Sequence, residues 1–476
     1  MKILHTAAEF FPYIKVGGLS DMLASLSKYQ SKNNEVHIAL PLLESIRPEL
    51  KFLKTEIPCI ADELRYNTDA CKVLEKSKFR KVKHGKINLY FFDSPLFSRY
   101  DKIYGNTDEL YSFAIFSYAC YYLGIHLDVD VVHSHDWHTS LVSVINNTRY
   151  PGKPTVFTIH NLAFQGDHPF WMTSFLRTDP FHIPLESIAN YEKVNYMKGA
   201  LQYTQEITTV SRGYRDEILH EPQGLFLSWI LNQRIDSFTG IMNGVDEKEW
   251  NPKSDKKIYK NYTLKTVEKG KRENKEALYK EFGLPVDPER PLIGMVSRLT
   301  HQKGFETFLN AFLARWNLPF FYFILGTGDK ELEGRFFHES HFSNHRLFFY
   351  KGFDETLARK IEAASDFFLM PSLFEPCGLN QMYSQVYGTV PIVSRVGGLK
   401  DSVREDPDLN FSTGLVFEPG QDHSLAFALD RASTLYYNKD GLHKVRSNIM
   451  NLDWSWKNSE MEYHRIYEKA ISKKLI

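Results

Sequence analysis

Short apolar runs alternate with amphipathic stretches along this chain, and the series runs twice with a pause between. The first series places strands near 2–8, 35–40, 86–92, 129–134, 154–159 and 206–210, and helices near 18–31, 108–125, 137–148, 191–203 and 212–219. The second opens at Pro291-Leu292-Ile293-Gly294-Met295-Val296-Ser297 and continues with strands near 320–326, 347–350, 366–371 and 390–394. Strand and helix taking turns admit few folds, because consecutive parallel strands need a crossover long enough to hold a helix. The expectation is an α/β protein of two doubly wound, Rossmann-like domains. The first is predicted over 1–240 and the second over 241–452, the boundary falling where Thr239-Gly240-Ile241-Met242-Asn243-Gly244-Val245 ends one unit. A terminal helix within 453–476, carrying Trp454, Trp456, Met461, Tyr463, Ile466 and Tyr467, is expected to pack back on the first domain. The Lys-rich stretch from Lys253 to Lys275 lacks apolar periodicity and reads as a solvated linker.

Composition narrows the function. Apolar residues make up 43% of 476, enough for large cores. Lys plus Arg equals Asp plus Glu at 58 each. That balance argues against a nucleic-acid partner while leaving room for a local anion site. Cys59, Cys71, Cys120 and Cys377 lack CxxC spacing, so neither zinc nor a disulfide framework is indicated. The N-terminus acquires charge too early for a secretory leader, and no apolar run approaches the roughly 20 residues of a membrane span. A soluble cytoplasmic protein is expected.

In doubly wound sheets, ligands bind beyond the carboxyl ends of the strands. Four turns at such ends concentrate chemistry. Lys15-Val16-Gly17-Gly18-Leu19-Ser20-Asp21 follows strand one and opens a helix. Paired glycines let a phosphate reach backbone N–H groups while Lys15 adds charge, although the same residues also make an ordinary turn into a helix. Ser297-Arg298-Leu299-Thr300-His301-Gln302-Lys303-Gly304 ends the second half's first strand, where Arg298 and Lys303 can converge on one anion or form a solvated basic loop. In Pro371-Ser372-Leu373-Phe374-Glu375-Pro376-Cys377-Gly378-Leu379-Asn380-Gln381, an apolar strand runs straight into Glu375, with the amides of Gly378, Leu379 and Asn380 ahead. The alternative makes Glu375 a helix N-terminal charge. The fourth turn, Thr158 to Gly166, holds His160 and Asn161 and continues into a long polar and aromatic stretch, 163–190, expected to be an active-site or acceptor loop.

His133-Ser134-His135-Asp136-Trp137-His138 invites a metal reading, but alternation puts His133 and His135 on one face while His138 begins a helix. No second cluster completes a ligand set, so a polar rim for hydroxylated substrate, or a helix-cap network around Asp136, is expected instead.

Together these segments, with Asn243-Gly244-Val245-Asp246, Tyr387-Gly388-Thr389-Val390-Pro391-Ile392-Val393 and Gly397-Gly398-Leu399-Lys400-Asp401, resemble the bacterial glycogen synthase and plant starch synthase family. These are retaining glycosyltransferases of the two-domain GT-B fold, and the resemblance runs almost end to end. It implies a donor site of Lys15, Gly17, Gly18, Arg298, Lys303, Phe353, Gly378, Leu379 and Asn380, with Phe353 near the nucleotide base. It implies that Glu375 binds glucose hydroxyls, that His160 and Asn161 lie against the transferred glucose, and that Asp21, Asp136, His138, Asn161 and Asn243 serve the acceptor side. The catalytic set is then Glu375, His160, Lys15, Arg298 and Lys303, in a cleft between the domains that closes on donor binding. Position 16 is Val where the family turn usually has Thr, and Asn380 stands where Thr is common.

The implied reaction transfers glucose from ADP-glucose, or UDP-glucose, to the 4-OH end of an α-1,4-glucan such as glycogen, with retention. Double displacement needs a carboxylate nucleophile within about 5 Å of a partner acid. No such pair is marked in the sequence, and the family resemblance implies same-face substitution instead, with a leaving phosphate oxygen helping to deprotonate the incoming hydroxyl. No cofactor and no metal are expected. The DxD at Asp128-Val129-Asp130 begins the strand leading to His133, roughly 13–20 Å from its carboxyl end. The rivals are another retaining GT-B transferase with a different acceptor, or a catalytically degenerate glucan-binding protein. A dinucleotide-dependent dehydrogenase is disfavoured because no GxGxxG follows strand one.

Overall fold

The structure, a computed structural model, describes residues 1–59, 68–149, 151–177, 181, 183–343 and 345–473. Residues 178–180 and 182 of the expected acceptor loop, and 474–476 of the expected terminal helix, lie outside them. Two compact units divide the chain: 1–244 with 456–476, and 245–455. The divisions fall after Gly244 and after Ser455, slightly later than the sequence reading placed them.

Among the described residues, unit 1 is built on a nine-stranded sheet ordered Phe238–Gly240, Glu206–Thr209, Thr155–Ile159, Val131–His135, Lys2–Thr6, Glu35–Pro41, Ile87–Asp93, Lys78–His84, Glu56–Pro58. The first seven run parallel, and each of the last two pairs antiparallel with the strand before it, so that only Lys78–His84 runs against the rest. Parallel strands covered on both faces must be apolar throughout, which is why Ile3, Leu4, Val36, Ile38, Val131 and Val132 are all buried. Lys78–His84 went unpredicted because it buries only Phe79 and Val82 between charged positions. The chain leaves Lys2–Thr6 toward one edge and later returns to its other side at Val131–His135. The sheet's switch point therefore lies between the ends of those two strands.

The terminal helix, Trp456–Ser472, packs on the helix Gly18–Gln30. Trp456, Tyr463 and Tyr467 join Ile3, Met22, Leu26 and Val131 in one apolar cluster. Within 163–190, the described residues include a short strand Asp167–Pro169, a 3₁₀ segment Phe170–Arg177 and a turn of helix Leu185–Ile188. The helix expected over 191–203 starts only at Tyr196, because Asn195 caps it by accepting from the Lys198 N–H.

Unit 2 carries a six-stranded parallel sheet ordered Leu347–Lys351, Phe321–Gly326, Leu292–Val296, Phe367–Met370, Val390–Ser394, Leu415–Phe417. Its switch point lies between Leu292–Val296 and Phe367–Met370. The linker expected from Lys253 to Lys275 is instead folded structure ending in the helix Val267–Glu281. Lys271 is buried, and its ammonium donates to the carbonyls of Glu362, Ala363 and Ser365 at 2.8–3.3 Å, closing the end of the helix Glu355–Ala364. Lys275 meets Asp366 at 2.5 Å and Arg446 meets the same carboxylate at 3.0 Å. Burial alone would raise Asp366, but these two cations hold it below the usual carboxylate range. Lysines that face inward on carbonyls and a carboxylate leave no apolar periodicity to read.

Candidate active site

At unit 2's switch point, two loops are stitched together. Leu373 N–H donates to the Gln302 carbonyl at 2.8 Å, and the Gln302 amide donates to the Phe374 carbonyl at 3.1 Å. Gly304 sits at φ +64°, where a Cβ would lie 1.9 Å from the Pro371 oxygen, so only glycine allows this approach. The approach brings Lys303 against Glu375 at 2.5 Å, while Ser372 Oγ donates to the same carboxylate oxygen at 2.9 Å. Glu375 is 7% exposed, yet among the described residues its Oε1 receives no hydrogen bond. A lysine ammonium has three donors, so Lys303 keeps further N–H groups beyond the one spent on Glu375. Arg298 is exposed, with no ion-pair partner among the described residues.

The neighbouring positions behave differently. Asn380 turns its amide onto the Val296 carbonyl at 2.8 Å, tying the helix Asn380–Val386 to the end of the first strand. The helix expected from Gly378 begins two residues later; Gly378 is at φ +72° and Leu379 caps the helix. Phe353 stands 73% exposed just beyond the strand Leu347–Lys351.

At unit 1's switch point, the Gly17 amide is already occupied. Glu9, buried just past the first strand, accepts from Val16 N–H at 2.8 Å, Gly17 N–H at 2.7 Å and the Tyr104 hydroxyl at 2.7 Å. Glu9 carries no motif in the sequence, and its one signal there is a place just beyond the end of the first strand. Gly17 is therefore a positioning element of the turn, and its N–H is not free for phosphate. At Gly18 an added Cβ would meet no protein atom within 4 Å, so open space faces it. Lys15 pairs with Asp21 at 2.9 Å and lies 4.9 Å over the Phe11 ring.

Asp136 ends the strand Val131–His135 at φ +55° and is 9% exposed. It stands at the N-cap of the 3₁₀ turn Trp137–Thr139, but its side chain makes no cap hydrogen bond, so the helix-cap network, one of the two expected roles, is not formed. Its carboxyl instead accepts from the backbone of His160 at 2.8 Å and Asn161 at 3.4 Å, which fixes the neighbouring loop. Burial raises Asp136 to about 7, against the pull of those two amides. Gly166 brings the same loop back onto Trp137, where a Cβ would lie 2.6 Å from the indole. His138 is buried against Tyr104, Phe113 and Trp137, and burial pushes it down to about 3. Asn243 is buried, and among the described residues its Oδ1 has no hydrogen-bond partner. Asn161 Oδ1 accepts from Ala163 N–H at 3.0 Å.

Comparison with known proteins gives the family. Residues 2–233 match the starch synthase catalytic domain, and 279–445 match the glycosyl transferases group 1 family. The chain is 54% identical over 473 residues to a glycogen synthase of Leptospira biflexa, covering 99% of each. It is 35% identical to a glycogen synthase of Bacillus licheniformis, covering 99% of this chain and 98% of that one. The catalytic domain of starch synthase IV from Arabidopsis thaliana, bound to ADP and acarbose, superposes with a TM-score of 0.87 at 30% identity over 99% of both chains. Two doubly wound domains with these sites define a GT-B glycosyltransferase. The chain belongs to the glycogen synthase and starch synthase family.

Proposed function

We propose that the protein transfers glucose from ADP-glucose to the non-reducing 4-OH of an α-1,4-glucan with retention of configuration. The observation that carries the reading is unit 2's switch point, where Arg298 and Lys303 stand ready for an anion beside a glutamate with one open oxygen. Charge develops on the departing diphosphate, and fixed cations stabilise it most where water is sparse. Glu375 Oε1 accepts from glucose hydroxyls while Oε2 stays on Lys303 and Ser372. The incoming 4-OH attacks from the face the diphosphate leaves, and a leaving-group oxygen takes its proton. Lys15 adds charge near the diphosphate, while His160, Asn161, Asp136 and Asn243 serve the transferred glucose and the acceptor. Phe353 offers an exposed ring to the adenine.

No metal enters this reading. Asp130 accepts from the Lys2 N–H at 2.7 Å and Asp128 pairs with Lys153 at 2.5 Å, both at the opposite end of the strand from Asp136. ADP-glucose is preferred over UDP-glucose on the strength of the family, since the Arabidopsis relative is one bound to ADP. Glucose incorporation into glycogen, measured with each donor in parallel, tests the reading. Preference for UDP-glucose overturns the donor assignment, and no incorporation from either overturns the function.

A further inference from the structure

His133 and His135 lie on one face of their strand, and His5 is the register partner of His133 on the next. Their rings form part of a continuous hydrogen-bonded chain. His160 Nε2 meets His135 Nδ1 at 3.0 Å, and His135 Nε2 meets His5 Nδ1 at 3.0 Å. His5 Nε2 meets Gln30 Oε1 at 2.8 Å, and the Gln30 amide donates to the Tyr467 hydroxyl at 2.9 Å. Tyr467 in turn meets His133 Nδ1 at 2.9 Å, and His133 Nε2 meets Thr158 Oγ1 at 2.6 Å.

Gln30 sets the direction. Its Oε1 can only accept, so His5 carries its proton on Nε2 and accepts at Nδ1. His135 must then donate from Nε2 and accept at Nδ1, and His160 must donate from Nε2. A neutral imidazole has one N–H, so His160 Nδ1 is left with a bare lone pair. Among the described residues that nitrogen has no hydrogen-bond partner. Beyond Gln30 the same polarity continues, with Tyr467 donating to His133 and His133 to Thr158. The atoms of His5, His133 and His135 come close enough to suggest a metal site. However, both ring nitrogens of all three are already committed to this chain. Burial keeps the rings neutral, which one-way donation requires: His5 is lowered to about 4, His160 to about 3, and His133 and His135 well below the usual range.

We propose that His135, His5, Gln30 and Tyr467 are positioning residues that lock His160 as the Nε2–H tautomer and present its Nδ1 as an acceptor for a hydroxyl of the transferred glucose. The glucose contact rests on the function proposed above; the tautomer does not. The terminal helix thereby takes part in the reaction without touching substrate. An imidazole without this chain divides between two tautomers, and in one of them an N–H faces the hydroxyl's own proton.

The test uses the full chain labelled with ¹⁵N-histidine, the His160 signals being assigned by their loss in His160→Gln. The expected spectrum shows His160 protonated at Nε2 and bare at Nδ1, and Gln30→Met converts this to a tautomer mixture. Protonation at Nδ1 in the unaltered protein, or an unchanged pattern in Gln30→Met, overturns the proposal. Should Gln30→Met not fold, Tyr467→Phe removes a single hydroxyl and is expected to shift the pattern the same way. In glucan synthesis, Gln30→Met is expected to lower kcat about 10-fold with the donor KM nearly unchanged, as when an orienting partner of a functional histidine is lost. A rise in donor KM at constant kcat counts against the relay. Absent glucan synthesis with the Nε2–H tautomer observed would reject the proposed function and keep the relay.

Discussion

At unit 1's switch point, imidazoles on which burial disfavours charge are joined into one hydrogen-bonded chain, and beside them the Asp136 carboxyl accepts from two backbone amides. At unit 2's the polar groups are an arginine, a lysine and a glutamate that keep open donors and an open acceptor. The contrast follows from how far each group is satisfied by protein, since Glu375 is no more exposed than Asp136. His5, His133 and His135 spend both ring nitrogens on protein partners, so they hold one another in place. Lys303 and Glu375 spend only some of their donors and acceptors on each other and on Ser372, so unit 2's groups are suited to receiving a ligand.

The sharpest way to break this contrast is to remove charge without changing shape in unit 2. Glu375→Gln is expected to lower turnover on the order of 10³-fold with the melting temperature little altered, because it weakens both the sugar contact at Oε1 and the hold on Lys303, about 2 kcal/mol each, at about 1.4 kcal/mol per tenfold. Near-normal synthesis by the folded variant would show that the open Oε1 is not a sugar contact. Arg298→Ala and Lys15→Ala should each cost about 10²–10³-fold, the loss expected for one donor to a developing anion. An effect confined to KM would show that they bind the donor without stabilising its departure.

Acid should distinguish the units by stability. His5, His37, His133, His135, His138 and His160 are all lowered in the folded state. Below the ordinary histidine value of about 6.5, the unfolded chain binds protons that the native rings refuse, so stability is lost as pH falls. Asp136 at about 7 and Glu362 at about 8 act oppositely, since the native carboxyls keep protons the unfolded ones release. The imidazoles outnumber them. Denaturant unfolding should therefore show a loss of several kcal/mol between pH 6.5 and 5, at about 1.4 kcal/mol per proton per pH unit. A flat profile would mean the rings are not held neutral. The smallest effect is expected from metal removal: excess chelator, or Asp130→Asn, should leave glucan synthesis unchanged. Loss to chelation with recovery on added magnesium or manganese would mean that Arg298 and Lys303 do not suffice.

The strands that position both sites were legible because each is a continuous apolar run ending in a turn of charged or small residues. Lys303 with Glu375 was legible as two separate turns, but their pairing required the Gly304 approach to Pro371. The histidine chain was not legible. His133 and His135 were visible, but their partners lie 25, 130 and 334 residues away in sequence. Lys271 was read as solvated because its partners include main-chain carbonyls, which leave no mark in a side-chain pattern.

Because the chain passes through all of unit 2 before supplying the helix Trp456–Ser472, order of synthesis and order of completion differ. On the ribosome, unit 2's residues emerge whole while unit 1 still waits for Trp456, Tyr463 and Tyr467 to seal its sheet. Until then Gln30 faces no tyrosine, and the first 244 residues hold an exposed apolar seam along Ile3, Met22, Leu26 and Val131. A nascent protein of this design cannot begin work early: the first domain is finished only by a helix translated after the whole of unit 2.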